Sequence, residues 1–348
     1  MPAPITAPVL LAVLPLSTGV PLFVGGAIAS LGASTVLVRR IERLGGCLEL
    51  SHAAIGLLAA LCADAPEITS SVTAFAHHDA TVGVTVVFGS NVFNIAALLG
   101  LGALAAGAVT LHRRAALLEG AVGSWVAVLG VLVDLHALPD AAGLGLTCAV
   151  LVPYAVLTVV RRKTLRRLGV PARAASWLGL AIREEGVDLA PALPRRAGGQ
   201  RAAPHAAVAA VALAMVVAAS IAMEKGATQL GTHAHWPAAV TGGIVLAAVT
   251  SLPNAVTGIY LAARGRGAAV MSETMNSNTL NVLAGLLIPG VLVPLPTESS
   301  ATGLTALWYA ALTALVVLLV IGRGGLTRRS GVVVVVLYLC FVGALVAS

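Results

Sequence analysis

Asp64 and Glu67 stand three residues apart in an apolar stretch, with Pro66 between them. On a helix that spacing puts both carboxylates on one face, where like charges repel unless a cation or a proton intervenes. Proline lacks a backbone N–H and obstructs the preceding turn, so carbonyl oxygens released there could join the carboxylates around a hard cation such as Ca²⁺. From Glu67 to the turn at His77 is about ten residues, or ~15 Å of helix, close to half a bilayer's hydrocarbon thickness. Ionisable groups that deep cost about 3 kcal/mol each on insertion scales and read first as functional. The next polar group along the chain is Ser90, Asn91 and Asn94, with Ser90 and Asn94 on one helical face.

The pattern occurs twice. Pro253, Asn254, Ser277, Asn278 and Asn281 each stand 187 residues after Pro66, Glu67, Ser90, Asn91 and Asn94, without a gap. Polar side chains in membrane helices often serve only to bond helix to helix. Duplication beside a proline break points instead to the midplane site of a transporter, where discontinuous helices from two related halves meet. Glu273 is a further acid, at i, i+4 and i+8 with Ser277 and Asn281; it lines the same cavity or serves in helix packing and snorkelling.

The elements that must position these groups are membrane helices. The chain is 58% hydrophobic and 10% charged, with a mean hydropathy of +0.97, too apolar for a water-soluble surface. Charge-poor runs fall near 18–38, 50–76, 81–109, 115–134, 143–160, 205–223, 237–262, 268–290, 303–322 and 331–347, giving about ten spans. Continuous runs such as GVVVVVLYLCFVGALV exclude the alternating strands of a membrane β-barrel. Residues 1–18 lack a basic leader, so no cleaved signal peptide is expected. Cys47, Cys62, Cys148 and Cys340 have unrelated spacings and fit neither a disulfide framework nor a zinc site.

Arg and Lys accumulate in cytoplasmic loops. With about ten spans and both termini outside, every Lys and Arg except Lys225 falls on the inner side. The net charge of +7 is thus a topology signal; no basic module with interleaved aromatics suggests nucleic acid. Residues 163–203 form a basic cytoplasmic linker, flexible or partly helical, or a contact for anionic headgroups. It separates a five-helix half at 1–162, with its repeat at about 50–109, from a second at 204–348, with its repeat at about 237–290. An odd number of spans per half inverts one repeat relative to the other. The fold class is therefore an all-α polytopic membrane protein with two inverted five-helix repeats. Glu49, Glu119, Asp134 and Glu224 fall near span ends, where water or headgroups solvate them, and His77, His78 and Asp79 form an outer turn.

GSNVFN at 89–94, TSLPN at 250–254 and NSNTLN at 276–281 resemble the α-repeats of the sodium/calcium exchanger (cation/Ca²⁺ exchanger) superfamily, whose pattern is a GTSLPE-like break followed by GNxxGSNIFN. The resemblance implies about ten spans, ion sites between the repeats, and Ca²⁺ export coupled to Na⁺ or H⁺ influx by alternating access. It carries ligand roles onto Glu67, Ser90, Asn94, Thr250, Ser251 and Ser277. The chain departs from the pattern at four places. Asn254 replaces the second glutamate, Asn281 replaces a frequent aspartate, Asp64 stands where the motif has serine, and Glu273 where it has asparagine. Two amides thus remove charge that Asp64, with Glu273, restores from elsewhere.

Three functions fit the sequence. The first is a cation antiporter in which Glu67 and Asp64 hold the metal and the hydroxyls and amides complete its shell. The second is transport of another cation, or uncoupled flux; the third, a non-transporting binding or regulatory protein with a decayed second repeat. No HExxH motif, nucleophile–base arrangement or phosphate-cradling glycine loop suggests an enzyme. Expected partners are the lipid bilayer and inorganic cations, with no cofactor, in a bacterial inner membrane as the resemblance implies.

Overall fold

The computed structural model of the protein describes residues 16–48, 52–110, 113–159, 171–189, 202–293, 295 and 300–348. The apolar runs become helices. α1 (Leu16–Cys47) is followed by the short helices α2 (His52–Ala63) and α3 (Ala65–Ala76). Then come α4 (Ala80–Ala106), β1 (Ala108–Thr110), α5 (Arg113–Asp134) and α6 (Asp140–Val159). α7 (Ala172–Leu189) precedes α8 (Ala202–His233), α9 (Ala238–Thr250) and α10 (Leu252–Ala263). α11 (Gly267–Leu280) runs into a π-helical stretch, Asn281–Leu287. The chain ends with α12 (Ser300–Arg323), β2 (Gly325–Thr327) and α13 (Arg328–Ala347).

Six helices among the described residues (α1, α4, α5, α8, α12 and α13) are long and apolar enough to cross a membrane, and the α9–α10 pair makes a seventh. The sequence led to an expectation of ten. The remaining segments fall short for physical reasons: α6 has a short apolar run, α2 and α3 are separated at Asp64, and α11 is polar around Asn276–Asn281.

The helix breaks are a matched pair. Asp64 joins α2 to α3 with φ −80° and ψ −3°, and Ser251 joins α9 to α10 with φ −83° and ψ 0°. Each is followed two residues later by proline, which sits in the first turn of the next helix where its missing N–H costs no hydrogen bond. The second pair bends by 50° at its break. A further matched feature follows the polar clusters: α4 turns π-helical over Ile95–Leu101, just after Asn94, and α11 does so from Asn281.

α1 and α8 pack along one another for much of their length. Gly26 makes this close approach feasible, since a Cβ there would sit 2.6 Å from the Met223 backbone nitrogen. Ser30 and Ser220 bridge the same seam at 2.8 Å. α4 occupies the centre, surrounded by α3, α9, α12 and the π-helical part of α11. At Gly89 its backbone meets Gly243 of α9 so closely that a side chain would strike the Gly243 carbonyl.

Two expectations change, and a third, the partly helical linker, gains detail. The all-α reading gains two short strands, β1 and β2, paired antiparallel with Val109 opposite Leu326. Gly107 and Gly324, at positive φ, end the helices on either side, and the freed backbone groups satisfy one another. The linker, of which 163–170 and 190–201 lie outside the described residues, contains α7, docked against α2, α5, α6 and α11. Finally, Glu119, Asp134 and Glu224 are not solvated at span ends but buried, at 2%, 4% and 3% exposure. Each sits on the packed face of its helix, and Glu224 accepts from Thr228 at 3.2 Å. Glu49 lies outside the described residues.

Candidate cation-binding site

The two breaks meet. Asp64 and Glu67 are buried, and neutral groups from the second half donate to both. Asn254 Nδ2 donates to Asp64 Oδ1 at 2.8 Å and reaches Glu67 Oε1 at 3.5 Å. Ser251 Oγ donates to Glu67 Oε1 at 3.0 Å. Ser277 Oγ donates to Asp64 Oδ1 and accepts from Asn254 Nδ2, the latter at 3.0 Å. The 187-residue offset takes Asp64 to Ser251 and Glu67 to Asn254, so the Asp64–Asn254 bond and the Ser251–Glu67 bond exchange into one another. Each bond joins a break residue of one half to a helix residue of the other.

A second network ties α4 to α11 with the same exchange property. Asn91 Nδ2 donates to the Asn278 carbonyl at 3.1 Å, and Asn278 Nδ2 to the Asn91 carbonyl at 3.2 Å. Asn94 Nδ2 donates to Asn278 Oδ1 at 3.2 Å, and Asn281 Nδ2 to Asn91 Oδ1 at 3.1 Å. Both amide functions of Asn91 are thereby used between helices. The sequence reading passed over Asn91 and Asn278 as site residues. Their signal was the duplication itself, because the pair repeats at the same offset as the residues that were chosen.

Buried polar atoms without partners need an explanation. Of fifteen such atoms among the described residues, six belong to the candidate ligands: Asp64 Oδ2, Glu67 Oε2, Ser90 Oγ, Asn94 Oδ1, Asn254 Oδ1 and Asn281 Oδ1. All six are oxygens, and all six belong to residues singled out from the sequence. The amide nitrogens of Asn94, Asn254 and Asn281 point to protein acceptors, leaving their carbonyl oxygens over. A set of carboxylate, amide and hydroxyl oxygens matches the chemistry of a hard cation such as Ca²⁺, which takes 6–8 oxygen ligands. Among the described residues, none of the side-chain hydrogen bonds to the two acids comes from a cationic group.

Three candidates lie outside these networks, and one of them is Ser90, buried with its hydroxyl unpartnered. Thr250 is buried, but its hydroxyl donates to the Leu246 carbonyl of its own helix at 2.9 Å. Glu273 is half-buried and lines a cavity of about 730 Å³ between α1, α2, α10 and α11. Glu42, Arg39 and Thr257 share that cavity, and its wall includes Ala63 and Pro253, the neighbours of Asp64 and Asn254.

A family model described as sodium/calcium exchanger protein matches residues 18–167 and 205–347, including both breaks and both asparagine clusters. The sodium/potassium/calcium exchanger Nckx30C of Drosophila melanogaster is 29% identical over 134 residues, which are 36% of this chain and 15% of that protein. The chain therefore corresponds to a small part of that relative's length. Among solved structures, the H⁺/Ca²⁺ exchanger CAX superposes with a TM-score of 0.70 at 15% identity, covering 94% of this chain and 85% of that one. The sodium–calcium exchanger NCX_Mj, soaked with Na⁺ and Sr²⁺, superposes at 0.57 with 18% identity, covering 94% and 99%. At such identities the superpositions speak for the fold.

Proposed function

Because the chain belongs to the sodium/calcium exchanger protein family, an integral membrane family of transporters rather than enzymes, we propose that it is a secondary active antiporter exporting Ca²⁺ in exchange for Na⁺ or H⁺. One observation carries the proposal. Two buried acids from the first half are held by neutral donors from the second, while one oxygen of each acid and an oxygen each of Ser90, Asn94, Asn254 and Asn281 are left without partners. Removing two carboxylates from water costs several kcal/mol each unless opposite charge accompanies them. A divalent cation, or two monovalent ions, supplies that charge. Glu67 and Asp64 are the charged ligands; Ser90, Asn94, Asn254, Ser251, Ser277 and Asn281 complete the shell.

Alternating access follows from the way the two halves differ around the site. On one side a cavity is lined by α1, α2, α10 and Glu273 of α11. The 187-residue offset carries those elements to α8, α9, α3 and α4, which are sealed by a buried cluster containing Ala74, Val86, Met223 and Leu246. We read this as the state open toward the face of Arg39 and Arg264, which is cytoplasmic under the positive-inside rule. The broken α2–α3 pair, α6 and α11 complete ten spans in two inverted halves, with both termini outside and 163–203 cytoplasmic.

Proteoliposomes loaded with Na⁺ or buffered acid test the exchange. Gradient-driven ⁴⁵Ca²⁺ uptake is expected for the wild type, with at least a tenfold loss, about 1.4 kcal/mol or more, in Glu67→Gln. Uptake unchanged by that substitution would remove Glu67 from the mechanism. The amides at 254 and 281 favour one second reading, a different or monovalent cation, since each lowers the site's formal charge. Competition by Mn²⁺, Na⁺ and K⁺ in the same vesicles separates the two.

A further inference from the structure

We infer that Glu273 is a one-sided relay, a carboxylate between the open cavity and the buried pair that governs how well cation is taken up from that side alone. The inference rests on the reading of Asp64 and Glu67 as ligands of a transported cation, and it adds a determinant outside their hydrogen-bonded network. Three observations support it.

Glu273 occupies the right place. It lines the cavity together with Glu42, and the cavity wall continues to Ala63 and Pro253 at the two breaks. On α11 it stands one turn before Ser277, whose hydroxyl donates to Asp64. It is thus within electrostatic reach of Asp64 on the inner side and of Glu42 on the outer. Arg39 and Arg43 act on Glu42, and Arg39 shares the cavity wall; the charged groups that act on Glu273 among the described residues are the two acids.

The opposite side has no equivalent. The offset that relates the two halves takes Glu273 to Val86 and Glu42 to Gln229. Val86 is fully buried in the apolar seal with Met223 and Leu246. Gln229 packs against Gly19 of α1, where a Cβ would lie 3.2 Å from its Oε1. When the seal opens, the vestibule formed there presents an amide and a valine where the other presents two carboxylates. A cation reaching the buried pair through the first route meets negative charge on the way, and attraction of that kind raises local cation concentration and the rate of capture. On the second route no acid stands at the positions matching Glu273 and Glu42; its charge comes instead from Glu224 of α8 and from Asp79 at the start of α4, neither of which involves Glu273.

Right-side-out and inside-out vesicles, each assayed for ⁴⁵Ca²⁺ exchange, test this directly. With Ca²⁺ presented on the Arg39 face, Glu273→Gln is expected to raise the half-saturating concentration about tenfold. With Ca²⁺ presented on the other face the value is expected to stay within a factor of about two. Glu273→Asp keeps the charge and should restore most of the loss, which also covers failure of the Gln variant to fold. An equal rise on both faces would place Glu273 in the central shell, and no rise on either would make it a packing residue; both outcomes overturn the relay. Wild-type vesicles without Ca²⁺ flux in either orientation would instead remove the transport reading, and the relay with it.

Discussion

At the scale of single residues, the chain has moved a charge across its site. Asp64 stands where the family motif has serine, and Asn254 where it has glutamate; the two are hydrogen-bonded at 2.8 Å. The amide at 254 can donate to both acids, which a third carboxylate could not. We therefore expect Asp64→Ser alone to leave the pocket short of charge, and Asn254→Glu alone to crowd three carboxylates together. The double substitution returns the charge to the other side of the break. Each single change should lower ⁴⁵Ca²⁺ exchange by about tenfold or more and the double should recover most of it; a double variant no better than its parents would show that the two positions act independently. The candidate acids were legible in the sequence from their depth in an apolar run, and their oxygen-bearing companions from the duplication. Which atoms pair was not, since an i, i+1 pair such as Ser90 and Asn91 gives no sign of which side chain faces the partner helix.

At the scale of elements, the asparagines divide labour between holding helices and offering oxygens. Asn91 spends both amide functions on α11, whereas Asn94 spends only its nitrogen and keeps Oδ1 free. Asn91→Ala should strand the Asn281 amide and the Asn278 carbonyl, a loss of about 1–3 kcal/mol read as a lower Tm in detergent. Asn94→Ala should cost less stability and more Ca²⁺ exchange. Equal effects of the two substitutions on both readouts would argue against this division. The helices themselves were readable from apolar runs and prolines. The π-helical stretches at Ile95–Leu101 and Asn281–Leu287 were not, because they arise from how neighbouring helices seat against α4 and α11 rather than from a local residue pattern. The docking of α7 escaped notice for a related reason: its charges read as linker, while buried Ala175 and Ala181 reveal a packed face.

At the scale of the whole molecule, the site exists only where the halves meet. Neither half contains both an acid of the pair and its donor: Asp64 and Glu67 come from one, Ser251, Asn254 and Ser277 from the other. On the proposed reading, any relative movement of the halves changes the shell around the cation, with a cavity open on one side while the matching elements are packed on the other. The internal repeat led to an expectation of two related halves; the open cavity on one side and the apolar cluster on the other had no sequence signature, since they describe a state and not a pattern. The most direct measurement is a structure of the protein soaked with Ca²⁺, or with Sr²⁺ as its heavier stand-in. The expected result is a single metal between the breaks, with Asp64 Oδ2 and Glu67 Oε2 at about 2.3–2.6 Å. Metal bound elsewhere, with those two oxygens turned away from it at saturating concentration, would contradict the account.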